Sequence, residues 1–300
     1  MKKYWSSFLC AFLSFCVACQ LSHAYPTEVA TFQKVGQAFL STYPTIAHLS
    51  QEELVNLSTD WQKRLAKQLH VNNDYRVLDP EKLRFLETLL ETTPGKIVMR
   101  HGEQQPSKQV ESITSLQEKK IAMMRLPDNM QDPPTTRSLV EFFGSMIGFR
   151  YIQERLDKDL SILSSKNYRA KIPAELLGGF LNVSTDTKRF LQCINYPPDD
   201  QISTQSLLRE LSLGMLPWEQ ESIDFIVGPK TFERIVEDMR TYLEDIQTGI
   251  GIAFTHTQQI NATQQLVSSP IRRVNYYGFI AVVGENVHVF PEGLYASSGD

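Results

Sequence analysis

Apolar residues recur at three- and four-residue intervals along the first third of the chain. Leu54, Leu57, Trp61 and Leu65 fall on one helical face, and Ser50 followed by Glu53 has the spacing of a capping box ahead of them. A second helix is predicted where Asp79 can cap, Pro80 suits the first turn, and Leu83, Leu86, Leu89 and Leu90 make a stripe. Residues 25–93 therefore read as a helical extension that packs on or precedes the rest. It carries no chemical constellation of its own.

The period shortens at the turn signal Pro94-Gly95. Lys96-Ile97-Val98-Met99 is a predicted strand, and strand and helix patterns alternate from there. Further strands are expected at Leu160–Leu163, Gly251–Thr255, Phe279–Val283 and Val287–Phe290, the last two joined by a turn around Gly284-Glu285-Asn286. Helices are expected near Thr136, with Leu139, Phe142, Phe143 and Met146 on one face, and near Thr231, with Phe232, Ile235, Met239, Tyr242 and Leu243. The alternation predicts an α/β domain over 94–300, a three-layer sandwich whose mostly parallel central sheet is flanked by helices. Ligands of such sheets bind beyond the carboxyl ends of the strands. Gln104–Asp132 and Asn182–Thr204 read as long, polar, irregular segments, a length usual in lids and binding loops.

The N-terminus changes the compartment. Lys2 and Lys3, an apolar run from Tyr4 to Ala18, and Ser22-His23-Ala24 form the pattern of a secretory signal peptide over residues 1–24. The run is shorter than the roughly 20 residues of a membrane-spanning helix, so no stable membrane insertion is expected after cleavage. A rival reading makes Cys16-Val17-Ala18-Cys19 a lipoprotein signal with Cys19 acylated, although Cys16 stands where an aliphatic residue is usual. Export, to a periplasm or outside the cell, is expected either way. Cleavage after Ala24 leaves Cys193 as the one cysteine, so no internal disulfide forms. Losing Lys2 and Lys3, the only charged side chains in that segment, takes the formal charge from −4 to −6. Generic attraction to nucleic acid or anionic lipid is thereby disfavoured, and an anionic ligand must be gathered by local basic residues. Asn56, Asn182 and Asn261 begin glycosylation sequons, which matter only in a eukaryotic secretory route.

Four segments stand where that fold places a site. Arg100-His101-Gly102-Glu103 directly follows a strand: the histidine can present a ring nitrogen as nucleophile, the arginine can hold phosphate oxygens, and glycine permits close backbone approach. Ser164-Ser165-Lys166-Asn167-Tyr168-Arg169-Ala170 also follows a strand and leads into a helix. Leu208-Arg209-Glu210-Leu211-Ser212-Leu213-Gly214 continues to Trp218-Glu219, and Gly251-Ile252-Ala253-Phe254-Thr255-His256 is an apolar strand ending in histidine. Each alone is ordinary: a surface histidine, a solvated arginine at a helix start, a solvated carboxylate, a structural histidine.

In this order the segments resemble the histidine phosphatase superfamily, nearer its phosphoglycerate-mutase-like branch, over roughly Lys96 to Val267. The resemblance implies that His101 is the nucleophile, that Arg100, Arg169, His256 and Ser107 bind phosphate, and that Glu210 is the proton donor, with Glu219 supporting. His48, His70 and His288 fall outside the pattern and read as structural or surface residues. Phosphoryl transfer needs positive charge around the equatorial oxygens, an in-line nucleophile and a proton for the leaving oxygen, and these residue types supply all three. Glu210 must be protonated in the first step, which favours an acidic optimum. The implied ligand is a small phosphorylated substrate, with no metal and no cofactor; an exported protein would seldom meet the bisphosphorylated cofactor of a mutase, so a phosphomonoesterase is the expected activity.

Three positions depart from the branch. Ser107 stands where asparagine is common, Thr257 where glycine follows the second histidine, and Gln104-Gln105-Pro106 carries glutamine where the acid-phosphatase branch has arginine. Nor does an aspartate follow His256 as that branch's donor would. These departures leave open a phosphate-ester-binding module that has lost turnover, and a weaker third reading has the helical extension act as an interaction surface.

Overall fold

The computed structural model describes residues 26–72, 76–103, 133–191, 229–245, 249–267 and 274–296. Three helices come first: α1 (Pro26–Thr42), α2 (Gln51–Gln68) and α3 (Pro80–Thr92). The start of α2 is the expected capping box, with Ser50 Oγ accepting from Glu53 N–H at 3.2 Å and the Glu53 carboxylate accepting from Ser50 N–H at 2.7 Å. Asp79 likewise accepts from the N–H groups of Glu81 and Lys82 at 2.9 and 3.3 Å, so the first turn of α3 is satisfied beside Pro80.

From β1 (Gly95–Arg100) the order is α4 (Thr136–Leu156), β2 (Leu160–Ser164), α5 (Tyr168–Leu181), β3 (Thr185–Thr187), a 3-10 turn at Arg189–Leu191, α6 (Pro229–Glu244), β4 (Ile250–Thr255), α7 (Thr257–Leu266), β5 (Phe279–Val283) and β6 (Asn286–Phe290). The six strands form one sheet in the order β3-β2-β4-β1-β5-β6. β1, β2, β3 and β4 run parallel, while β5 lies antiparallel to β1 and pairs with β6 in a hairpin. The α/β class and the mostly parallel sheet are as the sequence pattern predicts.

One prediction needs correcting. The stretch from Asn182 was expected to be irregular, yet Thr185–Thr187 pairs with Ile162–Ser164 as an edge strand, and a helical turn follows. Three polar residues show no apolar alternation, and an edge strand needs none, because its outer side and much of its face meet water. The remainder of that segment, and all of Gln104–Asp132, lie outside the described residues.

Alternating side chains of the central strands feed two cores. Ile97, Met99, Ile252 and Phe254 join Phe142, Phe143, Leu177 and Phe180 of α4 and α5 on one face. Val98, Ala253 and Ile280 join Ile235 and Met239 of α6 and Ile260 of α7 on the other. This period-two division is what makes three layers. No described helix is long and apolar enough to cross a membrane.

The first of these cores extends through residues 26–92. Phe39 is wholly buried, its ring 5.2 Å from Trp61 and 5.5 Å from Phe180. A partly buried ion pair ties the same layers: Arg150 Nε lies 2.7 Å from the Glu154 carboxylate, Arg150 donates to the carbonyls of Tyr43 and Pro44, and Glu154 accepts from the N–H groups of Ile46 and Ala47. Helices of the first segment and the sheet should therefore unfold together. Phe39→Ala, which opens a cavity where these layers meet, should cost about 3–5 kcal/mol in urea denaturation. One transition, followed by far-UV dichroism and tryptophan fluorescence alike, is expected; separate transitions would show that the first segment folds independently.

Candidate active site

Strand register brings the site together. In the parallel β1–β4 pair Arg100 stands opposite Thr255, and in the β2–β4 pair Ser164 stands opposite Phe254. The next residue of each strand end continues the pattern: His101 N–H donates to Thr255 O at 2.9 Å, and Ser165 N–H to Phe254 O at 3.0 Å. His101, Ser165 and His256 therefore emerge side by side at the carboxyl edge of three adjacent strands, where ligand sites of such sheets form.

Two helix starts converge on the same edge. Asn167 precedes α5 and His256 precedes α7, and neither makes a side-chain capping bond, whereas Ser50, Asp79 and Thr135 each cap their own helices. Both helices thus present the positive end of their peptide dipoles to the space around the histidines.

The imidazoles of His101 and His256 lie 4.9 Å apart between centroids, tilted by 54°. His101 Nδ1 is 2.6 Å from the carbonyl oxygen of Gly102. A carbonyl only accepts, so Nδ1 holds the ring hydrogen and Nε2 carries the lone pair. Burial, then the charges of Arg169 and Arg100, hold the His101 pKa well below the ordinary 6.5, with the bond to Gly102 opposing the shift. Burial, Arg169, His101 and Arg100 depress His256 in the same direction. The result is a neutral imidazole whose Nε2 lone pair is available in a recess flanked by two arginines.

Both arginines are anchored. Arg169 Nε lies 3.3 Å from His256 Nδ1. Arg100 Nη1 donates to Val274 O at 2.7 Å, and its guanidinium lies over the Tyr276 ring at 4.6 Å. Tyr276 also flanks the His101 ring at 5.8 Å. The turn bearing it is strapped to β1, with Arg100 N–H donating to Gly278 O and Tyr277 N–H to Arg100 O. Tyr277 pays for this with a left-handed backbone at φ 57°, held by stacking on Phe142 at 4.6 Å. Its hydroxyl occupies the space that a β-carbon at residue 102 would need. Gly102 is thus required by close packing beside His101.

Of the residues expected from sequence, Arg100, His101, Arg169 and His256 meet in one place. Ser107, Glu210 and Glu219 lie outside the described residues. Thr257 opens α7 beside the site and is half-buried. Sequence reading did not single out Ser165 or Tyr276 as site residues. Ser165 sits inside the quoted Ser-Ser segment, while Tyr276-Tyr277 belongs to no pattern and is found only through the fold. Among the described residues no three His, Cys, Asp or Glu side chains gather as metal ligands would.

No family model matches the chain, and neither does any curated protein. Solved structures do resemble it. A phosphoserine phosphatase from Entamoeba histolytica in complex with 3-phosphoglyceric acid aligns at 10% identity over 68% of this chain and 98% of its own, with a TM-score of 0.43. YhfR of Bacillus stearothermophilus aligns at 15% identity over 67% of this chain and 96% of its own, with a TM-score of 0.42. The similarity is one of fold outline, and the chemistry is read from this chain's own residues.

Two outcomes test the geometry. Both histidines bind protons less readily folded than unfolded, so their contribution to stability is full above pH 6.5 and is lost as the pH falls through the depressed values, at about 1.4 kcal/mol per pH unit for each. The stability advantage of wild type over His256→Gln in urea should therefore shrink between pH 7.5 and 5.5; a constant difference would mean that His256 is not held neutral. Separately, Gly102→Ala should displace Tyr277 and cost about 1–3 kcal/mol in the same assay.

Proposed function

We propose that this protein is an exported phosphomonoesterase that works through a phosphohistidine on His101. The observation carrying the proposal is the pair of buried, neutral imidazoles 4.9 Å apart, set between Arg100 and Arg169 at the carboxyl edge of the sheet. Together with the order of the four segments, this fits the histidine phosphatase superfamily. Export rests on the pattern of residues 1–24.

In the first step His101 Nε2 attacks phosphorus and the ester P–O bond breaks. The leaving oxygen takes a proton from Glu210, which the sequence resemblance assigns as the acid. Arg100 and Arg169, with His256 beside them, surround the equatorial oxygens, where charge must be stabilised. In the second step water attacks phosphorus, the P–N bond breaks, and the Glu210 carboxylate accepts the proton that water loses. Inorganic phosphate leaves, and His101 returns to its neutral form. The depressed pKa of His101 keeps Nε2 unprotonated below pH 6.5, which suits an acid-side optimum in which Glu210 is protonated.

Thr257, in the position after the second histidine where the family commonly has glycine, favours the second reading, a phosphate-ester-binding module, because it adds a side chain at that position. The two readings separate in one assay. The chain from residue 25 onward should release phosphate from an aryl phosphate, faster at pH 5–6 than at pH 8, and His101→Ala should lower the rate by at least about a thousandfold. Glu210→Ala should lower it too. Full activity in His101→Ala overturns the proposal. No release by wild type across alkyl, aryl and sugar phosphates, with measurable phosphate binding, leaves the binding module.

A further inference from the structure

The segment just ahead of α3 reaches the candidate site through the turn at residues 291–294. Arg76 Nη1 lies 2.6 Å from Glu292 Oε2 and 3.4 Å from the Glu292 carbonyl oxygen. Main-chain pairing makes this contact part of a clamp: Asp79 N–H donates to Leu294 O at 2.8 Å, Ala296 N–H donates to Val77 O at 3.0 Å, and Leu78 stands opposite Tyr295 in an antiparallel bridge. Lys82 Nζ closes the clamp, 2.5 Å from Tyr295 O.

The other oxygen of the same carboxylate, Oε1, accepts from Asn275 Nδ2. A carboxylate has only acceptor sites, so it engages a guanidinium and an amide at once. Asn275 opens the turn that carries Tyr276: its N–H donates to Pro291 O at 2.9 Å, and its carbonyl accepts from Gly278 N–H at 2.9 Å. Residues 277 and 278 are tied to β1 by their own main-chain bonds to Arg100. The earlier half of the turn has no such tie. Val274 is buried by its side chain, but Asn275 and Tyr276 are only half-buried, so their placement falls to polar contacts. This half nevertheless supplies two supports of Arg100, the Val274 carbonyl at 2.7 Å and the Tyr276 ring at 4.6 Å.

We infer that Glu292 is a positioning residue: its carboxylate joins Arg76 of the helical extension to Asn275, and the turn so held keeps Arg100 ordered in the phosphate pocket. The extension thereby supports the pocket as well as the core. The inference rests on the phosphate-pocket reading above and deepens it, since Glu292 enters neither the bond-making nor the bond-breaking step.

Charge gives the test its direction. Glu292→Gln removes a negative charge from the neighbourhood of an anion pocket, which by electrostatics alone would tighten phosphate binding or leave it unchanged. Loss of positioning does the reverse. Inorganic phosphate affinity is measured by calorimetry on the full chain, and rotation of the Arg100 guanidinium by arginine side-chain nitrogen NMR. Glu292→Gln should weaken phosphate binding about fivefold and speed the averaging of the Arg100 Nη hydrogens, while Ser50→Ala, which destabilises α2 by removing its cap, should change neither. Phosphate affinity in Glu292→Gln equal to or tighter than wild type, unaltered Arg100 rotation, or an equal loss in Ser50→Ala overturns the inference and leaves the pocket standing. Absence of phosphate binding by wild type sinks the pocket reading and this inference with it. Should Glu292→Gln fail to fold, Asn275→Ala removes the same bond from its other end and is judged by the same two measurements.

Discussion

The parallel pairing of β1 with β4 places every chemical group in register. Arg100 stands opposite Thr255, and the chain on each side runs one residue further before turning away, so that two histidines from segments over 150 positions apart come within 4.9 Å. A slip of one residue would put Met99 opposite Thr255. It would also exchange the faces of β1, moving Ile97 and Met99 away from Phe142 and Phe143 and into the core built around Ile235 and Met239. Because the two faces hold different volumes, packing of the cores fixes the spacing of the histidines. The geometry of the site is thus maintained by apolar contacts that never touch it.

Electrostatics at the same edge adds to burial in keeping the two imidazoles neutral. The partners that act on the two rings are cations, and two helix starts add their positive ends. Such an arrangement leaves the imidazoles neutral and creates a potential that an anion would relieve. Neutrality leaves His101 a lone pair that a charged ring would lack. The cost appears as stability that depends on pH and as backbone strain at Tyr277, where a left-handed residue is held between Phe142 and Gly102. Residues 26–92 help bear that cost, since Phe39, Trp61 and Phe180 join them to the sheet's own core.

Much of this was legible in the sequence because the informative signals are local. Ser50 and Glu53, Asp79 and Pro80, and the short apolar runs at Ile97–Met99 and Ile252–Phe254 each declare an element within a few residues. Arg100, His101 and His256 were readable because they touch strand ends, where position along the chain and position in the site coincide. Thr185–Thr187 was not, since an exposed polar edge has no hydrophobic period to detect. Tyr276 was invisible for another reason: its place beside His101 depends on the β5–β6 hairpin returning antiparallel to β1, a tertiary fact with no sequence motif. Ser107 and Glu210 lie in segments outside the described residues, and their parts rest on the resemblance alone.

Ser165 shows how a pattern can name a segment and still miss what a residue in it does. The doublet Ser164-Ser165 reads as part of a phosphate-binding stretch, but strand geometry sends the two hydroxyls to different tasks. Ser164 is the last residue of β2 and faces Phe254, whereas Ser165 steps past the sheet edge and meets His256. The next residues turn into α5, which carries Arg169 back over the same imidazole. A loop of three residues between strand and helix therefore links hydroxyl, imidazole and guanidinium within a single βα unit and its neighbouring strand. These contacts are made by buried groups, where water does not compete for them. An arginine on a free stem would have to be ordered anew each time an anion arrived, and the entropy of its four rotatable bonds would count against binding. Held against a neutral histidine, Arg169 is ordered before any anion arrives.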